Sequence, residues 1–268
     1  AAWDAASVPA DQPQQTLIEE RPPGSLCAVA DLPDDLRTRL AGVEGWLSDE
    51  EAGTLYRLAR ACTGRGVIVE IGSFKGRSTI CLGLGSHAGH GVPIYAVDPG
   101  HGWKRFAEFD ANIRRAGIER LVTPVAAASG DAYTGFTEPA IELLFIDGSH
   151  RYDLVDLDFH LWTRKLVDGG MLAMHDTSAF FPGSCRVAEE QMYKGTGYRH
   201  VRFIYSSMTV GQKVRRVTVA ERAANRGSLL VKRSFDAALR VRDRVPDPVK
   251  RTGRRGLSAI QRRPGGGG

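Results

Sequence analysis

The sequence predicts an α/β protein, a three-layer sandwich around a mostly parallel sheet, continued by a basic C-terminal extension. Three observations predict it. Short apolar runs at residues 67–71, 92–98, 121–127, 141–147 and 171–175 alternate with longer amphipathic stretches, the pattern of strand–helix–strand units. Several of these runs end on an acid or a glycine, as at Glu70 and Gly72, Asp98 and Asp147, where a parallel sheet presents its ligand-binding rim. The charge is also divided. Residues 215–268 hold 15 Lys/Arg and 4 Asp/Glu, whereas the rest of this chain of net charge +5 holds 21 and 27.

The elements follow in order. Residues 1–30 are rich in Ala, Pro and Gln without periodicity and predict an irregular arm. A short helix is expected over 33–42, so that 1–44 form an arm and helix ahead of a domain spanning 45–214. Ser48-Asp-Glu-Glu51 is a capping-box pattern and opens a helix to about Cys62, with Leu55, Leu58, Ala59 and Cys62 inward. The β-branched run 67–71 suits a strand covered on both faces, and a helix follows over 77–86. Residues 106–116 suit another helix. Residues 152–166 predict a helix with Val155, Phe159, Trp162 and Leu166 on one stripe. Asp168-Gly-Gly170 reads as a turn into the fifth strand, 171–175, and residues 200–206 and 209–214 as a closing hairpin. In the extension, 215–268, Leu230, Val231, Phe235, Ala238, Leu239 and Val241 stand among arginines. They predict a basic amphipathic helix ending before Pro246, with a disordered end over 249–268.

Composition sets outer bounds. A chain of 268 residues, 42% hydrophobic and 25% charged, fits one large domain with extensions. Cys27, Cys62, Cys81 and Cys185 contain no CxxC pair, which argues for reduced thiols and a cytoplasmic protein. No apolar run approaches a membrane span of about 18 residues, and no signal peptide is expected.

The richest stretch is Val67-Ile-Val-Glu-Ile-Gly-Ser-Phe-Lys-Gly-Arg-Ser-Thr79. Gly72 and Gly76 allow a tight turn and a close backbone approach. Ser78 and Thr79 stand where a helix opens, and its free N–H groups face a ligand. Glu70 and Gly72 end the first strand, with Ser73 in the turn. Asp98 ends the second, where a carboxylate accepts both ribose hydroxyls. Ser129, Gly130 and Asp131 follow the third, beside an adenine edge. Together they describe a nucleoside pocket. A GxxxG turn with an acid 22 residues past Gly76 is also compatible with a dinucleotide. However, the spacing is neither GxGxxG nor a P-loop, and Glu70 would repel a pyrophosphate. An acid there suits a ligand with an ammonium group and no phosphate, namely S-adenosylmethionine (SAM). The plainer alternative is a strand-end carboxylate bonded to turn amides.

Four segments in order, 69–79, Ala96-Val-Asp98, Phe145-Ile-Asp-Gly-Ser-His150 and Gly169-Gly-Met-Leu-Ala-Met-His-Asp176, resemble class I SAM-dependent methyltransferases, most of all the branch of bacterial small-molecule and sugar O-methyltransferases. The resemblance covers roughly residues 45–215. It implies a seven-stranded Rossmann-like sheet with a reversed last strand, and SAM contacts at Glu70, Gly72, Ser73, Asp98 and Asp131.

For the reacting site, Asp147 and Asp176 end neighbouring strands about 4.8 Å apart, and His150 lies on the loop after Asp147. Two carboxylates and an imidazole suit a divalent cation such as Mg²⁺ or Mn²⁺. Such an ion would hold a substrate hydroxyl and lower its pKa, and His150 would remove the proton as general base. Related metal-dependent sugar O-methyltransferases have paired acids after the fifth strand, whereas here the pair is His175-Asp176. A His ligand favours a softer metal. The alternatives are that Asp147 caps a helix and that His175 is a core histidine. His101, Trp103 and Lys104 are candidates to line a substrate pocket, and Phe180, Phe181 and Arg186 to form a lid.

The resulting expectation is an O-methyltransferase acting on a small hydroxylated acceptor, a sugar or secondary metabolite. Its rivals are a non-catalytic SAM-fold module, whose basic arm binds nucleic acid, membrane or a partner protein, and, third, an NAD-linked oxidoreductase. Clustered Lys/Arg in the arm attract phosphates at an anionic membrane surface or on nucleic acid. With Phe235 its only aromatic, the arm has little for base stacking. Its helix is also a candidate to pack or to form a homo-oligomer. The expected location is cytoplasmic, with peripheral membrane attachment as an added option.

Overall fold

A computed structural model describes residues 32–99, 103–205 and 207–244. The expected arm over 1–30, the tail over 249–268 and His101 lie outside the described residues. The elements run α1 Asp34–Leu40, α2 Asp49–Arg60, β1 Val67–Ile71, α3 Arg77–His87, β2 Ile94–Val97, α4 Trp103–Ala116, β3 Val122–Val125 and α5 Ser129–Gly135. They continue with β4 Ile141–Ile146, α6 Tyr152–Trp162, β5 Leu166–Met174, α7 Pro182–Val187, a π-helical turn Ala188–Tyr193, β6 Tyr198–Ile204, β7 Met208–Lys213 and α8 Val219–Arg244.

The seven strands form one sheet in the order β3-β2-β1-β4-β5-β7-β6. β3, β2, β1, β4 and β5 pair in parallel, and β7 runs antiparallel to both β5 and β6. This is the Rossmann-like sheet with a reversed last strand. Its two faces bury separate cores because strand side chains alternate. Ile68, Leu143 and Phe145 pack with Leu36, Leu55, Ile80 and Phe109 on one face. Val69, Leu144 and Ile146 pack with Phe159, Trp162 and Tyr193 on the other. β1 and β4 are buried at every position, which explains why they are apolar except at Glu70 and Glu142, each held by hydrogen bonds.

The capping box of α2 forms in both directions. Ser48 Oγ accepts from the Glu51 amide at 3.3 Å, and Glu51 Oε2 accepts from the Ser48 amide at 2.9 Å. Such a cap contributes about 1 kcal/mol. Leu55, Ala59 and Cys62 are buried and Leu58 packs at the core margin.

Two expectations change. The helix begun at Tyr152 ends at Trp162, so Leu166 is not on its stripe but opens β5, pairing with Ile141. Asp168-Gly-Gly170 is then no entry turn. It is an irregularity within β5, where the partner register jumps from Ile141↔Leu166 to Leu143↔Met171 and Gly169 takes φ +81°. Glycines let the longer strand bulge there without breaking. Among the described residues, no helix is long and apolar enough to cross a membrane.

Candidate active site

The site lies along the carboxyl ends of β1, β2, β4 and β5. Gly72 takes φ +91°, and a Cβ there would stand 2.3 Å from the Asp147 carbonyl oxygen. Only glycine lets the turn pass under β4. The crossing is bonded on both sides, with the Gly72 amide donating to Val97 O and the Asp147 amide to Ile71 O, each at 2.7 Å. Gly76, at φ +87°, caps α3. An added Cβ there would press on Phe109 and Ile113 at 3.2 Å, so this glycine serves packing beneath the pocket.

Above this turn lies a pocket of about 580 Å³. Gly72, Ser73, Ser78, Asp98, Ser129, Asp147, His150, His175 and Asp176 all border it. Asp98 Oδ2 accepts from the Phe74 amide at 2.7 Å, fixing the carboxylate against the turn. Glu70 is fully buried under Ser78 and Thr79, and its Oε2 accepts from the Thr79 hydroxyl. Its Oε1 and the Ser73 hydroxyl have no partner although both are buried. The turn therefore keeps an acceptor and a hydroxyl unsatisfied, which buried polar groups rarely do without a ligand. Burial pushes the Glu70 carboxyl up to about 8, against hydrogen bonds from Ser78 and Thr79, while the charges of Asp147 and Asp98 add to the rise. Of the expected contacts, Glu70 and Gly76 lie beneath the lining rather than in it, and Asp131 is not brought in at all. It points to solvent from the first turn of α5, a helix the sequence reading did not foresee. Its neighbour Ser129 accepts at Oγ from Trp162 Nε1 at 2.8 Å.

Across the Gly72–Asp147 crossing, Asp147, His175 and Asp176 present ligand atoms all within 4.8 Å of one another, a set that could hold a metal ion. His175 Nδ1 lies 3.2 Å from Asp147 Oδ1 and 3.5 Å from Asp176 Oδ1. Its Nε2 lies 3.5 Å from Glu51 Oε2 and 3.3 Å from Ser207 Oγ. Burial alone would lower the His175 pKa, but Asp147, Asp176 and Glu51 outweigh it and hold the ring protonated, pushed up to about 12. Burial likewise works against the charge on Glu51, yet His175 and the Ser48 bonds hold its carboxyl down at about 2. The Asp147 carboxyl is raised by burial despite His175. His150 Nε2 meets Asp176 Oδ2 at 2.8 Å, and its ring lies 4.5 Å from that of Phe181. Asp176 itself takes φ +51°, a left-handed conformation unusual outside glycine, so the turn carrying it is held by its surroundings.

Three participants escaped the sequence reading. Glu51 looked complete as a capping residue. Its other oxygen, however, accepts from the Ser207 amide at 2.8 Å, across 156 residues of chain. Asp158 is buried against the pocket, where Ser129 bonds it. Its signal was present, as an acid inside the apolar stripe of Val155, Phe159 and Trp162. Trp46, 75% exposed, borders the pocket and leans on Phe74 at 5.3 Å between ring centroids. Of the expected lid, Phe181 reaches His150. Arg186 instead pairs with Glu190 at 2.8 Å and covers the Tyr152 ring. Trp103 and Lys104 open α4.

Comparison with known proteins agrees with this geometry. Residues 69–177 match a family model described as a methyltransferase domain. Among solved structures, the chain is similar to the O-methyltransferase from Bacillus cereus in complex with SAH (TM-score 0.52, 16% identity, 70% of this chain and 93% of that one). It is also similar to the O-methyltransferase TomG from Streptomyces achromogenes, involved in tomaymycin synthesis and solved with SAM (TM-score 0.52, 15% identity, 68% and 90%). The four sequence segments that framed the pocket all fall inside the matched region, so the stretch that matches a methyltransferase domain is the one that builds the pocket rim on a Rossmann-like sheet.

Proposed function

We propose that the protein transfers a methyl group to a hydroxyl of a small acceptor, a sugar or a secondary metabolite. The observation that carries this reading is one pocket bordered both by Ser73, whose hydroxyl is unsatisfied beside the buried Glu70, and by His150, fixed by Asp176. When bound, SAM supplies a methyl group activated by its sulfonium. The unpartnered Glu70 oxygen and Ser73 hydroxyl suit its amino-acid end, Asp98 its ribose, and Ser129 with Gly130 its adenine. The exposed Leu154 and Leu157 offer an apolar wall on the same side. Asp176 accepts from His150 Nε2–H, which leaves Nδ1 as the basic nitrogen. His150 then holds the proton taken from the acceptor hydroxyl, a contribution worth about 10²- to 10⁴-fold in rate.

Asp147, His175 and Asp176 are the residues that would hold a divalent cation. Their mixed oxygen and imidazole donors fit Mn²⁺ better than Mg²⁺. Without an ion, the proton on His175 neutralises the same carboxylates. The test uses radiolabelled SAM with a panel of polyols, glycosides and phenols. Transfer should occur to one hydroxyl class, fall at least a hundredfold in His150→Ala with SAM affinity retained, and drop on chelation with recovery on adding Mn²⁺. Full turnover in His150→Ala would reject the base, and activity indifferent to chelators would reject the metal.

A further inference from the structure

α8 is turned inside out relative to an ordinary surface helix. Its inward face carries Asn225, Leu229, Lys232 and Asp236, all buried. Lys232 is fully enclosed and pairs with Asp236 at 2.8 Å, and Asp236 Oδ1 accepts from the Ala179 amide at 3.0 Å. These polar contacts fix the rotation of the helix, and they turn its large apolar residues outward. Val219, Leu230 and Val231 are 87%, 66% and 70% exposed. Ala223, Gly227, Ser234 and Ala238 fill the outward face between and beyond them, so the stripe has no polar barrier larger than a hydroxyl.

The stripe continues toward the end of β6. Val231 stands one turn before Phe235, whose ring lies 5.0 Å from that of Tyr205, itself 55% exposed. The Tyr205 carbonyl accepts from Ser48, beside the Glu51–Ser207 contact that backs His175. Exposed Arg226 and Arg240 border the stripe along one side, and residues 215–268 carry a charge balance of +11 against −6 for the rest of the chain.

We infer that the outward face of α8 docks on the surface of an anionic lipid bilayer. A stripe of apolar side chains bordered by arginines lies in the headgroup boundary, with the apolar face entering the acyl region and the cations meeting lipid phosphates. A second copy of the chain is the poorer occupant, because pairing two such faces would bring like charges together. The acidic body would be repelled by the same surface, which favours approach on this side. The inference does not depend on which hydroxyl is methylated.

The test is flotation of the full chain with vesicles of phosphatidylcholine alone, and of phosphatidylcholine with 30% phosphatidylglycerol as probe composition. Binding should be at least tenfold greater on the anionic vesicles and weaken in high salt. Leu230→Glu with Val231→Glu, both at exposed positions, should lower it at least tenfold while SAM affinity by calorimetry stays unchanged. Equal recovery on both vesicle types would overturn the inference. So would anionic binding that survives the double substitution, which would assign it to the basic tail alone. A concentration-dependent dimer abolished by the double substitution, with no vesicle binding, would assign the face to a second copy instead.

Discussion

Glu70 is a carboxylate the apo protein stabilises poorly, and replacing it measures how much. In the folded state burial pushes it up to about 8, whereas the unfolded chain titrates at 4.5. Between those values the folded protein keeps a proton that the unfolded chain releases. Stability therefore falls as pH rises, by about 1.4 kcal/mol per unit for one such group. From pH 4.5 to 7 the loss is roughly 3 kcal/mol, of the order of a third of a domain's whole stability. Glu70→Gln keeps the shape and the bond to Thr79 and removes the titration. SAM-free variant and wild type should unfold alike in urea near pH 4.5, and the variant should be the more stable by roughly 3 kcal/mol at pH 7. SAM binding should weaken about tenfold or more, since an amide cannot neutralise an ammonium. A stability difference that stays flat from pH 4.5 to 8 would refute the buried, protonated carboxyl. Unchanged SAM affinity would detach it from the cofactor.

Other perturbations probe the same frame. Asp98→Ala should reduce SAM affinity about a hundredfold by calorimetry, two charge-assisted hydrogen bonds being worth about 3 kcal/mol together; an unaltered affinity would remove the ribose assignment. Gly72→Ala places a Cβ 2.3 Å from the Asp147 carbonyl at a left-handed φ. It should cost roughly 3 kcal/mol in a thermal or urea melt, and a silent substitution would mean the β1–β4 crossing yields easily. Asp236→Ala leaves the enclosed Lys232 without its nearest carboxylate and the Ala179 amide without its acceptor. A loss of roughly 3 kcal/mol is expected, with faster hydrogen exchange at Ala179 that Asp236→Asn restores in part. Normal exchange at Ala179 would show that α8 does not secure the loop beyond Asp176.

Local patterns in the chain determined the sheet and most of its rim. β1 and β4 were legible because burial on both faces demands mostly apolar runs, and α2 because a capping box depends on neighbours three residues apart. The turn at Gly72 and the acid at Asp98 were legible in their spacing, and both border the pocket. The end of α6 at Trp162 and the bulge at Asp168–Gly170 were not legible, since Leu166 serves a helix stripe and a strand equally well and only pairing with Ile141 decides between them. Position relative to distant chain decided the rest. Asp131 had a plausible address after β3 but faces water because α5 turns it away. Glu51 finished its local task within four residues, and its role beneath His175 exists only because β7 brings Ser207 beside α2. The rotation of α8 was likewise undetermined by its amphipathic pattern. The Ala179 amide on Asp236, with Cys185 and Glu189 on Lys232, turned its apolar side outward, a choice made by contacts more than forty residues away in sequence.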